Sequence, residues 1–240
     1  MGLIRGVVFD LFHTLVDLED YPPKDFRRVE ILAGMLNVDR KEFSEYWEKT
    51  ASLRYSTNRA SIEYVKDFCV STGKTPSEQL LAGADEAIGR YQDLAILNPR
   101  DVVIESLKLL KESGLKLGLL SNAEEREVRS WQQSPLSQFF HFAAFSYATG
   151  QLKPDSAAYE SVLNGLEVDA GSCAYAGDGG SQELTGARRA GFSRIFFMKQ
   201  FVASNAIHKD DDLRRFSEQA DFVIEDFREL PSQISILNGL

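Results

Sequence analysis

Cysteine is almost absent from this chain: Cys69 and Cys173 are its only two among 240 residues. Two thiols cannot build a zinc cluster between them, and so few in so long a chain fit a reducing compartment. Cys69 falls in a helical pattern and Cys173 in an apolar run, so both read as small core residues. Long apolar runs are missing as well, and nothing approaches the ~18 consecutive apolar residues that span a bilayer. The apolar start Met1–Phe9 is broken too early by charge for a signal peptide, and it lacks Ser or Thr at position 6 for myristoylation. Basic blocks are missing. Arg27-Arg28, Arg188-Arg189 and Arg214-Arg215 are isolated pairs in a chain of net charge −9. Phosphate backbones and anionic lipids attract basic faces, so neither a nucleic acid nor a membrane is expected as partner. No Walker, dinucleotide-type Gly-x-Gly-x-x-Gly or His-Glu-x-x-His pattern occurs. A small-molecule substrate, the cytoplasm, and a monomer or homodimer are what these absences leave.

What is present is a rhythm. Short apolar runs suited to strands buried on both faces occur at Gly6–Phe9, Leu115–Leu120, Phe142–Phe145, Cys173–Ala176, Ile195–Met198 and Phe222–Ile224. Helical patterns alternate with them at Asp101–Ser113, Glu124–Gln132, Ser156–Leu163, Gln182–Ala190 and Asp211–Gln219. This alternation predicts an α/β domain: an open, mostly parallel Rossmann-like sheet with helices on both faces. Residues 18–97 differ, with helical spacing at Phe26–Leu36, Lys41–Tyr55, Ile62–Cys69 and Ser77–Tyr91 and no clear strand. Pro22-Pro23 and Asn98-Pro99 border the stretch with turn chemistry. The expected division is a core domain of residues 1–17 and 98–240 and an inserted, all-helical domain of residues 18–97. No internal repeat or low-complexity segment appears, and His208 to Asp212 reads as a solvated loop.

Ligands of open parallel sheets bind at the carboxyl ends of the strands. Three expected strands end there in polar residues: Asp10, Ser121-Asn122, and Gly177-Asp178-Gly179-Gly180. A single Asp after a strand is common turn chemistry. Three such ends, with Lys153-Pro154-Asp155 between the second and third, form a constellation.

That constellation resembles the haloacid dehalogenase-like hydrolase superfamily. The likeness is carried by Val7–Asp17, by Leu119-Leu120-Ser121-Asn122, by Leu152-Lys153-Pro154-Asp155, and by Ala176-Gly177-Asp178 with Glu183, Gly186 and Ala187. It spans the α/β part, while the insert matches the family's helical cap in placement only. The resemblance implies that Asp10 is a nucleophile forming an aspartyl intermediate, which splits one displacement into two easier ones. It makes Thr14 and Ser121 hydroxyl donors, Ser121, Asn122 and Lys153 substrate contacts, and Lys153 the charge that keeps two anions from repelling. It also implies Mg²⁺ held by Asp10, Asp178 and the Phe12 carbonyl, with Glu183 acting directly or through water.

Two positions depart from the pattern. Phosphatases of the superfamily carry an acid two residues after the nucleophile, and here that residue is Phe12, which cannot protonate a leaving group. His13 stands where the family usually has Gly, and it titrates in the right range to substitute as proton donor. Three functions follow: a Mg²⁺-dependent phosphate-monoester hydrolase, a 2-haloacid dehalogenase, or a catalytically weak homologue that binds a ligand or protein. The dehalogenases carry Ser-x-Asn where this chain has Gly177-Asp178, which favours the first. Arg27, Arg28, Arg54, Tyr55 and Arg59 are candidates to meet an anionic substrate, while His141 and His208 read as structural or solvated. A hinge for the insert is expected near Asp17–Tyr21 and Leu97–Arg100.

Overall fold

A computed structural model describes residues 2–18, 27–202 and 209–239. Strand β1 (Gly6–Phe9) is followed by five helices, α1 (Arg28–Leu36), α2 (Arg40–Lys49), α3 (Ala51–Ser56), α4 (Ser61–Ser71) and α5 (Glu78–Leu97). Then come α6 (Asp101–Glu112), β2 (Lys116–Ser121), β3 (Phe142–Phe145), α7 (Ser146–Thr149) and α8 (Ser156–Leu166). The chain ends with β4 (Cys173–Gly177), α9 (Glu183–Arg189), β5 (Arg194–Met198), α10 (Asp210–Gln219), β6 (Phe222–Ile224) and α11 (Glu229–Leu237). The Pro22-Pro23 border, the Tyr21 end of the expected hinge and His208 lie outside the described residues.

All strand pairs are parallel, in the order β3-β2-β1-β4-β5-β6. Successive residues point to opposite faces, so each apolar run feeds two cores. Val7, Phe9, Leu117, Leu119, Ala174 and Ala176 pack with Val103 and Leu107 of α6 and Leu230 and Ile234 of α11. Val8, Leu120, Tyr175, Ile195 and Phe197 pack on the other side with Val162 and Leu166 of α8 and Leu184 of α9. Helices therefore cover both faces, as the doubly apolar strands require. The chain builds outward from β1 to β2 and β3, then returns to the other side of β1 with β4. At that reversal the loops leaving β1 and β4 diverge and open a crevice.

The helices α1–α5 bury a third core of their own, including Leu32, Leu36, Phe43, Trp47, Val65, Phe68 and Ile88. Asp39 caps α2 by accepting the Glu42 N–H at 2.9 Å, and Ser77 caps α5 by accepting that of Leu80. Ala95 and Ile96, at the end of α5, join the core under the sheet.

Three expectations need correction. The helical pattern Lys41–Tyr55 divides at Thr50, whose hydroxyl turns back on the carbonyls of Tyr46 and Trp47. No helix forms over Glu124–Gln132. That stretch makes single 3₁₀ turns at Glu125–Glu127 and Trp131–Gln133, because Trp131 turns inward onto Phe140 and Phe145 and the carboxylates of Glu124 and Glu127 pair with arginines of the helical segment. α11 was not anticipated, since Pro231 breaks its helical signal. Proline is tolerated there because it sits in the first turn, where the N–H has no helical partner.

Candidate active site

The crevice receives Asp10 from β1 and Asp178 from β4. The Asp10 N–H donates to Ala176 O at 3.0 Å, which continues the ladder to the point where the two carboxylates emerge. Beyond Asp10 the chain folds back at once. Leu15 and Val16 N–H groups reach Leu11 O, and His13 N–H reaches Val16 O at 2.7 Å. This turn places His13 at φ +60°. Glycine adopts that backbone freely, whereas a side chain there costs about 1–2 kcal/mol, which is a physical reason for the family's preference at this position. Asp10, Phe12, His13, Ser121, Asn122, Lys153, Asp178, Gly180, Ser181 and Glu183 line a cavity of about 190 Å³. Larger depressions of about 510 and 560 Å³ lie at the amino ends of the strands and beside β3. Converging charge, rather than size, distinguishes the small one.

Lys153, buried, is the hub. Its Nζ donates to Asp10 Oδ1 and, at 2.5 Å, to Glu183 Oε2. Burial pushes the ammonium pKa down, but Asp10 and Glu183 outweigh it and hold the group protonated above the ordinary lysine value. The carboxylates do not gain in proportion. Burial raises Asp10, Lys153 draws it down and Asp178 raises it again, so it ends above the usual aspartate range. Glu183 is pushed up to about 8 by burial, against the pull of Lys153 and with Asp10 and Asp178 adding to the rise. One oxygen from each of Asp10, Asp178 and Glu183 lies within 4.8 Å of the others. A single ammonium cannot balance three buried carboxylates, and the set has the oxygen chemistry of a hard divalent cation site.

Glu183 is the most engaged of the three. Its Oε1 accepts the Gly179 N–H at 3.0 Å, and its Oε2 accepts the Tyr175 hydroxyl at 2.7 Å as well as Lys153. Gly177 permits this, since a β-carbon there would sit 2.0 Å from Glu183 Oε1. Asp178 Oδ1 accepts the Gly180 N–H at 2.9 Å.

The other expected residues divide by what they touch. Thr14 does not line the cavity, and its buried hydroxyl is without a hydrogen-bond partner among the described residues. Asn122 lines the cavity, yet its amide clasps the Lys153 backbone, accepting the N–H at 2.8 Å and donating to the carbonyl at 3.0 Å. Phe12 packs on the sheet core and offers no proton. His13 Nδ1 lies 3.5 Å from Asp17 Oδ1. Burial lowers its pKa, but Asp17, Asp178 and Asp10 outweigh that and raise it above 6.5. His141 is structural, accepting the Leu117 N–H on Nδ1 at 3.1 Å.

None of the five candidates from the helical segment lines this cavity. Arg27 pairs with Glu30, and Arg59 with Asp67, on the surface of the helical segment itself. Arg54 is buried, with its Nε on Glu124 Oε1 at 3.0 Å and its guanidinium 3.7 Å above the Trp47 ring. Ser61 donates to the other Glu124 oxygen at 2.5 Å, and Arg28 donates to Glu127 at 3.0 Å. Tyr55 lies beside these acids, and the charge of Glu127 together with burial lifts its phenol far above 10. Tyr175 and Tyr159 are site residues that sequence reasoning missed, because a tyrosine inside an apolar pattern reads as core. The Tyr159 hydroxyl donates to the Glu183 carbonyl at 2.9 Å.

Comparison with known proteins shows the family of the chain. The sequence profile described as haloacid dehalogenase-like hydrolase matches residues 4–191. A glyceraldehyde 3-phosphate phosphatase from Methanopyrus kandleri is 28% identical over 237 residues, covering 95% of this chain and 96% of the relative. The (S)-2-haloacid dehalogenase 2 of Pseudomonas sp. (strain CBS-3) is 24% identical over 246 residues, covering 100% and 99%. Among solved structures, a HAD phosphatase from Thermococcus onnurineus superposes with a TM-score of 0.60 at 19% identity, covering 98% of both chains. The L-2-haloacid dehalogenase of Xanthobacter autotrophicus with chloropropionic acid covalently bound gives 0.57 at 21% identity, covering 97% and 98%. The structural likenesses establish a shared fold.

Proposed function

We propose that this chain, which belongs to the haloacid dehalogenase-like hydrolase family, hydrolyses a small-molecule phosphate monoester with Asp10 as nucleophile. The observation that carries the reading is the charge imbalance of Asp10, Asp178 and Glu183 around Lys153. A metal-free site could use one further carboxylate as a base for water, whereas a site for a dianionic substrate needs a cation to hold nucleophile and phosphate together, and three converging carboxylates suit that need. Asp10, Asp178 and the Phe12 carbonyl would hold Mg²⁺, with Glu183 within reach directly or through water. When bound, the ion supplies positive charge that screens the phosphate from the nucleophile.

The chain's own residues then have separable tasks. Lys153 neutralises Asp10 and offers its ammonium to the transferred group. Ser121 lines the cavity and is assigned as a hydroxyl donor, and the buried Thr14 hydroxyl, which has no partner among the described residues, is assigned as a second. An Asp10 oxygen attacks phosphorus, the bond to the ester oxygen breaks, and water later hydrolyses the aspartyl phosphate. The departing alkoxide needs a proton that Phe12 lacks. His13 lines the cavity, and Asp17, Asp178 and Asp10 raise its pKa against the pull of burial, so it is the source assigned here. Residues 18–97 act as the cap, and the free buried thiols Cys69 and Cys173 suit the cytoplasm.

Phe12 favours a second reading. A halide leaves without a proton, so 2-haloacid dehalogenation would find nothing missing at that position. Purified protein assayed against phosphate esters and 2-haloacids, with Mg²⁺ and with chelator, separates the two. Phosphate release that requires Mg²⁺ is expected, and halide release in chelator would replace the proposal. Turnover should also rise steeply as leaving-group pKa falls, and Phe12→Asp should flatten that dependence. His13→Ala should steepen it in the wild-type chain and matter little beside Phe12→Asp.

A further inference from the structure

Tyr175 stands in the middle of β4 and is fully buried. Tyr159 and Phe192 meet its ring edge-on, with centroids 5.6 and 5.7 Å away. That packing fixes where the phenol points. Its hydroxyl donates to Glu183 Oε2 at 2.7 Å and lies 3.3 Å from Lys153 Nζ. A glutamate has three side-chain torsions, and a buried carboxylate held by one flexible lysine alone could settle in several places. Here Gly179 anchors one oxygen and Tyr175 the other, so the carboxylate has a single position from which to receive Lys153.

We propose that Tyr175 is a positioning residue: its hydroxyl fixes the Glu183 carboxylate, and the fixed carboxylate aims Lys153 Nζ at Asp10. The inference rests on the reading of Asp10 and Lys153 as the reacting pair. Removing the hydroxyl leaves Glu183 Oε2 a donor short where solvent does not reach, so the carboxylate and the lysine must readjust together. A misplacement of about 1 Å in such a pair costs up to ~10² in rate.

Tyr175→Phe keeps the ring contacts and removes only the hydroxyl. With p-nitrophenyl phosphate and Mg²⁺, kcat should fall about tenfold while KM stays within about twofold, because the lysine charge remains. In a Glu183→Asp background, whose carboxylate is one methylene short of the phenol, the same substitution should cost less than about twofold. Equal losses in both backgrounds would make Tyr175 a packing residue and overturn the proposal, as would wild-type kcat in folded Tyr175→Phe. A crystal structure of Tyr175→Phe tests the geometry without turnover. Glu183 Oε2 should move off Lys153 Nζ, and retention of their 2.5 Å contact overturns the proposal. If the geometry shifts as expected but the wild-type chain releases no phosphate, the reaction reading fails and the positioning role stands. Should Tyr175→Phe not fold, Glu183→Asp alone opens the same hydrogen bond from the other side. Its kcat should then fall about tenfold, and an unchanged kcat would overturn the proposal.

Discussion

Two clusters of buried charge flank Asn122, and they are built on opposite principles. In the cavity, Asp10, Asp178 and Glu183 gather around one ammonium, and Asp10 and Glu183 are held above their ordinary pKa values by burial and by neighbouring carboxylates. In the seam between the helical segment and the loop after β2, cations and anions pair off. Arg54 meets Glu124, Arg28 meets Glu127, and Arg126 meets Asp93 at 2.7 Å. Gly89 on α5 leaves room for this, since a β-carbon there would lie 2.1 Å from the Arg126 guanidinium. Pairs matched in charge hold surfaces in register. Unmatched charge in a buried place is costly unless something binds there, which is why perturbed groups gather at functional sites. Burial alone would not have separated the two clusters; the charge balance does.

Four experiments would break or sharpen that contrast. The largest effect is expected at the nucleophile. Asp10→Asn should reduce turnover by about 10³-fold or more while leaving the protein folded, as phosphate release and thermal melting together would show. Wild-type turnover in a folded variant would remove the cavity from consideration.

The seam should answer in stability instead. Arg54→Leu strands a buried Glu124 carboxylate and should cost about 3–5 kcal/mol in denaturant unfolding. Arg54→Leu with Glu124→Leu should recover most of that loss, because no charge is then left unpaired. A double variant as unstable as the single one would mean that the pair is not the unit of the seam.

The pH response should register both clusters, since burial raises Glu127 in the seam as it raises Glu183, and Mg²⁺ should then single out the cavity. The Glu183 pKa rises from an ordinary 4.5 to about 8 on folding, so over this range the folded chain holds more protons than the unfolded one. Stability then falls as pH climbs from about 4.5 to about 8 and levels off above that. Asp10, also raised, adds with the same sign. Thermal melts in chelator should show this decline, and Mg²⁺ should reverse it most at the upper end, where the carboxylates are ionised. A flat profile that ignores Mg²⁺ would argue that the cavity charges are balanced after all.

The smallest effect belongs to an exposed pair used as control. Arg59 and Asp67 are 2.7 Å apart, but both side chains are solvent-exposed. Arg59→Ala should change stability by about 0.5 kcal/mol or less and leave turnover alone.

The sequence by itself determined the strands, because a parallel strand buried on both faces must be apolar throughout and is bounded by what ends it. Phe142–Phe145 and Phe222–Ile224 could be read residue for residue on that ground. The proposed reacting set was legible too, since Asp10, Ser121 and Asp178 stand at strand ends and, with Lys153, in the order the family resemblance implies. Only the tertiary structure decided that Glu183 spends its oxygens on Gly179, Tyr175 and Lys153, and that Arg28 and Arg54 lock onto glutamates away from the cavity lining. Glu124 and Arg54 are 70 residues apart and Tyr175 looks like core from its neighbours. A hydrophobic period records which face of an element is buried. It carries no record of which polar tip meets which, because that is fixed only when distant segments close on one another and every buried donor must find an acceptor.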